Sequence, residues 1–263
     1  MGVIETKRGR IGVSTRGLGR DGDGLPFLFL HGVGSDRTVW RPQLDRFGAT
    51  RGAIAADYPG YGASDPVPDA TRTDYAEAMI ALLDALQIGR AHVCGLSLGG
   101  IVAMLMALDH PNRVASLVLA DTFAVHPDGR TIHDGSLAAL DEMGMEGLAN
   151  SRVDRLLGDE PPEGLRDEVI ATMTRIDPDA YRLGARAVWL ADLSERVAAI
   201  DCPTLVLCGS ADVVTPPALS DALEAAIPGA RRADIAQAGH LPNAERSTAF
   251  NRIVEDFIAG LGD

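Results

Sequence analysis

What most constrains the fold of this chain is an abrupt change of periodicity within one short stretch. Residues 91–94, Ala91-His92-Val93-Cys94, read as a strand, whereas Ile101 opens an apolar run with helical spacing that stops at Asp109-His110-Pro111. Between them stands Gly95-Leu96-Ser97-Leu98-Gly99-Gly100. Passing from strand to helix in so few residues requires a sharp turn, whose central residue takes a strained backbone that tolerates only small neighbours. Glycine at 95 and 99 meets that condition. The turn lifts the Ser97 hydroxyl clear of the sheet and places it at a helix N-terminus, where unpaired N–H groups favour developing negative charge. Strand, Gly-x-Ser-x-Gly and helix together form the pattern of a nucleophile elbow.

A strand buried on both faces needs neighbours, and the rest of the chain supplies them in alternation with helices. Residues 3–6 and 11–14 read as a hairpin that ends in the turn-rich stretch 19–24. Residues 25–30, Leu25-Pro26-Phe27-Leu28-Phe29-Leu30, are a continuous apolar run of strand length. They lead into His31-Gly32-Val33-Gly34-Ser35, where the glycines let the backbone turn with its N–H groups exposed. His31 is read as holding that loop by hydrogen bonding rather than as a base. Residues 37–47 suit an amphipathic helix with Trp40, Leu44 and Phe47 on one core-facing side. A strand at 53–56 ends in Asp57-Tyr58-Pro59-Gly60-Tyr61-Gly62, a turn by its Pro and Gly content, with Asp57 read as its cap. A helix at 73–86 precedes the elbow, and a strand at 117–120 closing on Asp121 follows it. After Asp201-Cys202-Pro203 come a strand at 204–208, a loop at 209–217, a helix at 217–226, a strand at 230–235 and a last helix at 244–259. This alternation predicts an α/β fold with a mostly parallel sheet flanked by helices.

Residues 122–200 break the rhythm. Helix-like segments fall at about 135–143, 146–157, 165–175 and 178–190, with no convincing strand among them. A helical insertion between two sheet strands, lying over the carboxyl ends of the sheet as a lid, is the economical organisation. The expected division is therefore a core of 1–121 and 201–263 and a lid of 122–200.

Composition excludes several classes of partner. The 263 residues are 46% hydrophobic, ample for a large core. With 37 acidic against 24 basic residues the formal net charge is −13, which argues against nucleic acid or an anionic membrane surface as partner. Cys94, Cys202 and Cys208 lie in or beside apolar strand-like runs without metal-ligand spacing, so buried reduced thiols and a cytoplasmic location are expected. Residues 1–20 contain no apolar signal-like region, and no apolar run approaches about 18 residues, so neither an export signal nor a membrane span is expected.

A serine hydroxyl is a poor nucleophile at neutral pH unless a base takes its proton, and the base needs an acid to hold its tautomer. The chain offers Ser97, then Asp212, then His240, each in a loop after an expected strand, and such loops converge at one edge of a parallel sheet. Of the six histidines, His240 fits the base best, since His92 lies within a strand, His110 ends a helix, and His126 and His133 belong to the insertion. Asp121 also closes a strand and competes with Asp212 as the acid. The backbone N–H groups of Val33 and Leu98 are the candidate oxyanion donors. No cofactor and no metal is called for.

The Ser…Asp…His order, the elbow and the inserted helical region resemble the α/β-hydrolase superfamily over essentially residues 10–260. The chain is similar in particular to the 3-oxoadipate enol-lactonase group. The likeness rests on His31-Gly32-Val33-Gly34-Ser35 with Trp40-Arg41-Pro42-Gln43, on the elbow, and on Gly144-Met145-Glu146-Gly147-Leu148-Ala149. It extends to Ala191-Asp192-Leu193, Ile200-Asp201-Cys202-Pro203-Thr204 and the closing Ala238-Gly239-His240-Leu241-Pro242-Asn243-Ala244-Glu245. The chain departs from that group after Asp121-Thr122, where Phe123-Ala124-Val125-His126-Pro127 replaces a segment with tryptophan and arginine. The resemblance implies hydrolysis of a small ester or lactone in aromatic catabolism, through an acyl-enzyme and without a cofactor. A dicarboxylic substrate would need a cation in the pocket, for which the lid offers Arg130, Arg152, Arg175, Arg182 and Arg186. The alternatives are a carbon-carbon bond hydrolase of ring-cleavage products using the same three residues and, from another class, a ligand-binding receptor on the same fold without turnover.

Overall fold

The computed structural model describes residues 2–19 and 24–262; of the turn-rich stretch at 19–24, residues 20–23 lie outside them. The expected hairpin is β1 (Gly2–Thr6) and β2 (Gly9–Arg16), paired antiparallel. The apolar runs become β3 (Phe27–Leu30), β4 (Ala53–Ala56), β5 (Ala91–Leu96), β6 (Val114–Ala120), β7 (Thr204–Gly209) and β8 (Arg231–Ile235). All join one sheet in the order β1-β2-β4-β3-β5-β6-β7-β8. Strands β3 to β8 run parallel, with β2 alone opposed to its neighbours, so the loops after β3, β5, β6, β7 and β8 emerge at one edge.

Successive side chains of a strand point to opposite faces, and helices bury both. Phe27 and Phe29 pack with Leu44 and Phe47 of α1 (Arg41–Phe47) and with Phe250, Val254 and Phe257 of α9 (Ser247–Ala259). Leu28 and Leu30 share the opposite core with α2 (Arg72–Ala85), α3 (Leu98–Asp109) and Leu223 of α7 (Pro217–Ala226). Helix α2 starts on a reciprocal cap: the Thr71 hydroxyl accepts from the Asp74 N–H while the Asp74 carboxylate accepts from the Thr71 N–H. Trp40 is wholly buried against Phe29 and Phe250.

Two helices expected to be continuous are divided. Residues 37–47 divide into a 3₁₀ turn, Arg37–Trp40, and α1, because Pro42 near the start of α1 has no N–H to continue an α-helical ladder backwards. The last helix divides into α8 (Pro242–Glu245) and α9, with Arg246 at φ −133 and ψ 48 between them. The cysteines are free, but only Cys94 and Cys208 are buried; Cys202 is partly exposed because it precedes β7 rather than lying in it. Among the described residues no helix is long and apolar enough to cross a membrane.

Between β6 and β7 the chain forms α4 (Gly129–Leu156), α5 (Leu165–Thr174) and α6 (Pro178–Trp189). Helix α4 is interrupted at Gly144, whose φ of 68 and ψ of −176 suit glycine. The chain enters and leaves this segment side by side: the Leu193 N–H donates to the Ala124 carbonyl at 2.9 Å, and Val125 and Asp192 form an antiparallel bridge.

Candidate active site

Ser97 sits directly between β5 and α3 at φ 55 and ψ −115. A positive φ in a non-glycine residue costs about 1–3 kcal/mol and persists only where the surroundings enforce it. Here the Ser97 N–H donates to the Ala120 carbonyl at 2.9 Å, and the Thr122 hydroxyl donates to the Ser97 carbonyl at 2.8 Å. The flanking glycines are required by space: a Cβ on Gly95 would lie 2.1 Å from the Gly99 carbonyl oxygen, and one on Gly99 2.1 Å from that of Leu30. The Ser97 side chain does not cap α3, so the first N–H groups of that helix, Leu98 among them, have no acceptor within it.

The loop after β3 presents Gly32 to the serine; a Cβ there would lie 3.4 Å from Ser97 Cβ. Burial pulls the His31 imidazole below its ordinary value, against the opposing charge of Asp57, and the neutral ring donates through Nδ1 to the Gly32 carbonyl at 2.8 Å. The Ser35 N–H donates to the same oxygen at 3.2 Å. In a trans peptide C=O and N–H point in opposite directions, so these two donors turn the Val33 N–H the other way. Tyr58 and Tyr61 donate their hydroxyls to the His31 and Val33 carbonyls, each at 3.2 Å. Asp57 closes the neighbouring turn, accepting from the N–H groups of Arg37 at 2.9 Å and Ala63 at 3.1 Å.

The structure brings Asp212, not Asp121, to His240: Nδ1 lies 2.8 Å from Asp212 Oδ2. The Asp212 carboxylate also accepts from the N–H groups of Val214 at 2.7 Å and Thr215 at 3.1 Å, and from the Thr215 hydroxyl at 2.6 Å. Burial alone would raise the Asp212 carboxyl, but the charge and hydrogen bond of His240, with those of Thr215 and Val214, hold it well below the usual carboxylate range. Asp121 has the opposite fate. Burial first, and then the neighbouring Asp212 charge, push its carboxyl far up, and its Oδ1 accepts from the Gly209 N–H at 2.8 Å. Asp121, Asp212 and His240 place ligand-type atoms within 4.8 Å of one another. Both Asp212 oxygens and His240 Nδ1 are already engaged in hydrogen bonds, so this geometry suits a held imidazole better than a metal cage.

Ser97 and His240 line one cavity of about 240 Å³, between the sheet edge and the helical segment. Gly32, Val33 and Val214 contribute from the sheet side, and Trp189 and Arg152 from the helices. Of the five arginines expected as candidates only Arg152 reaches this cavity. Arg182 pairs with Asp141 and Arg175 with Asp36, Arg186 donates to the Asp69 and Ala70 carbonyls, and Arg130 is exposed. Arg152 donates to the Ser136 hydroxyl and has no carboxylate partner among the described residues. The Phe123–His126 stretch stands behind the cavity wall, with Phe123 stacked on Trp189 at 5.9 Å and His126 edge-on to both. Sequence reasoning missed Thr215 and Trp189. An Asp followed three residues later by Thr in a Pro-rich loop is a turn signal that points to the first; nothing in the sequence marks the second.

A family model described as the alpha/beta hydrolase family matches residues 27–253. The chain belongs to that family. Among curated relatives, this hydrolase is 28% identical to 3-oxoadipate enol-lactonase 1 of Acinetobacter baylyi over 89% of its own length and 88% of the relative's. It is 30% identical to a 2-hydroxy-6-oxononadienedioate/2-hydroxy-6-oxononatrienedioate hydrolase of Cupriavidus pinatubonensis, over 88% and 86% of the two chains. Among solved structures, the enol-lactonase of Burkholderia xenovorans superposes with a TM-score of 0.89 at 25% identity, covering 98% of this chain and 100% of that one. The sheet order and flanking helices described above are those of an alpha/beta hydrolase.

Proposed function

We propose that this hydrolase cleaves a small ester or lactone through an acyl-enzyme on Ser97. The observation that carries the reading is the shared cavity: a strained, uncapping serine and an imidazole oriented by a low-lying carboxylate line the same space. Ser97 Oγ attacks the carbonyl carbon while His240 Nε2 takes its proton, and Asp212 holds the Nδ1–H tautomer and stabilises the imidazolium. The N–H groups of Val33 and Leu98 receive the charge that develops on the carbonyl oxygen. His240 then protonates the leaving oxygen, and water, deprotonated by the same imidazole, releases the acid. The substrate is a small molecule acting in the cytoplasm, a placement supported by the three free thiols.

The acyl group we assign is an anionic one, such as 3-oxoadipate enol-lactone. It is supported by Arg152, a guanidinium on the cavity wall without a carboxylate partner among the described residues. Arg152→Met should lower kcat/KM for the enol-lactone or a carboxylate-bearing ester by about 10- to 100-fold, the worth of a hydrogen bond to a charged group. A matched neutral ester should change less than about threefold, and an equal loss on both would remove Arg152 from substrate recognition.

Labelling with a fluorophosphonate tests the chemistry: the adduct should map to Ser97, and folded protein that takes up no label there would sink the reading. A second reading, cleavage of a carbon-carbon bond in a ring-cleavage diketone with the same residues, is favoured by the 30% identity to the Cupriavidus hydrolase. Comparing kcat/KM for p-nitrophenyl esters, the enol-lactone and such a diketone separates the two.

A further inference from the structure

Glu245 is a carboxylate with 3% of its surface exposed, and it forms no ion pair among the described residues. A buried carboxylate is tolerated when its lone pairs are filled, and here backbone groups fill them. Oε1 accepts from the N–H groups of Gly239 at 2.9 Å and Leu241 at 3.2 Å, the two residues that flank His240. Oε2 accepts from the Gly158 N–H at 2.7 Å, just beyond the end of α4. The N–H of His240 itself donates to the carbonyl of Leu156, the last residue of α4, at 2.8 Å. The two backbones cross so closely that a Cβ on Gly239 would lie 2.6 Å from the Gly158 nitrogen. Leu156, His240 and Leu241 all line the cavity, so whatever occupies it presses on both sides of this junction.

We propose that Glu245 is a positioning residue that ties the loop carrying His240 to the end of α4, holding the imidazole in register with Ser97 only while that end of the helical segment is docked. The kinetic consequence rests on the serine-hydrolase reading above. The division of labour between the two oxygens makes the tie separable. Glutamine keeps one acceptor oxygen; placed at Oε1 it still serves Gly239 and Leu241, but its NH₂ then faces the Gly158 N–H, donor against donor. Glu245→Gln therefore cuts the side-chain tie to Gly158 and spares the contacts within the loop, whereas Glu245→Ala cuts both, and the His240–Leu156 backbone bond remains in each.

The test is turnover of p-nitrophenyl acetate per active site, the sites being titrated with a fluorophosphonate well below the melting temperature, so that a loss of stability alone leaves the rate unmoved. Glu245→Gln should lower kcat at least tenfold with KM within threefold of the parent, and hydrogen exchange should quicken in residues 156–160 and also in 236–243. Glu245→Ala should lose at least as much; if it does not fold, the glutamine variant decides alone. A fall in kcat of less than tenfold in the glutamine variant overturns the proposal. Should the parent protein show no Ser97-dependent turnover, the serine-hydrolase reading fails on its own account and exchange decides this one. Faster exchange in 236–243 of the glutamine variant then supports the tie, and unchanged exchange there refutes it.

Discussion

Ser97→Ala is expected to abolish turnover, with kcat down by about 10⁶, the scale seen when a triad serine is removed. The backbone groups meant for the oxyanion remain, so a residue of catalysis over water of about 10³–10⁴ should survive. The same position carries a second, independent readout. Its φ of 55 and ψ of −115 strain alanine as much as serine, whereas glycine adopts such angles freely. Ser97→Gly should therefore be as inactive as Ser97→Ala and yet melt at a higher temperature, by about 2–4 °C for each kcal/mol of strain relieved in a chain of this size. Equal melting temperatures would mean that the turn holds no strain at that residue; retained kcat in the Ser97→Ala variant would exclude Ser97 as nucleophile.

Asp212→Asn should lower kcat by about 10⁴, because an amide N–H facing His240 Nδ1 stabilises the wrong imidazole tautomer. Asp121→Asn should leave kcat within about tenfold, since the buried carboxyl is replaced by an isosteric amide whose oxygen can still accept from the Gly209 N–H. The reverse pattern would make Asp121 the acid. The two carboxyls also act on stability in opposite senses. The folded value of Asp121 is raised above its unfolded value, so its contribution is complete below about pH 4 and is lost as pH rises towards the raised folded value. The folded value of Asp212 is depressed, so its contribution is present above about pH 4 and is lost as pH falls below that. Above about pH 4, then, the parent should lose melting temperature with rising pH more steeply than Asp121→Asn, which lacks the first group. Parallel curves would show that Asp121 does not carry that slope.

The parts of this fold that were legible in the sequence are those encoded by neighbours along the chain. Phe27 to Leu30 and Leu117 to Ala120 are apolar on both faces, so they could only be buried parallel strands, and the glycines around Ser97 announced a tight turn. Parallel strands then forced the loops bearing Ser97, Asp212 and His240 to one edge without any tertiary information. Two helices expected to be continuous divide where a single group intervened: the missing N–H of Pro42, or the turn at Arg246. The choice between Asp121 and Asp212 was not legible, since both follow strands of the parallel sheet and only the Asx-type turn through Val214 and Thr215 aims one of them at the imidazole. Nor could Arg152 be told from Arg182 or Arg186, because which guanidinium faces the cavity depends on how α4 to α6 pack, and helical periodicity leaves that rotation open.

The crossing at Ala124–Val125 and Asp192–Leu193 makes the helical segment a cassette. Its two ends are hydrogen-bonded to each other before they reach β6 and β7, so length, sequence and helix count beyond that crossing can change without altering the spacing of the strands that carry Ser97 and Asp212. The sheet sees only a closed neck. Besides fitting the cavity, a transplanted cassette must deliver a backbone N–H where Gly158 now meets Glu245 and a carbonyl where Leu156 now accepts from the His240 N–H. Diversity of substrate and constancy of chemistry can thus be inherited separately within one gene.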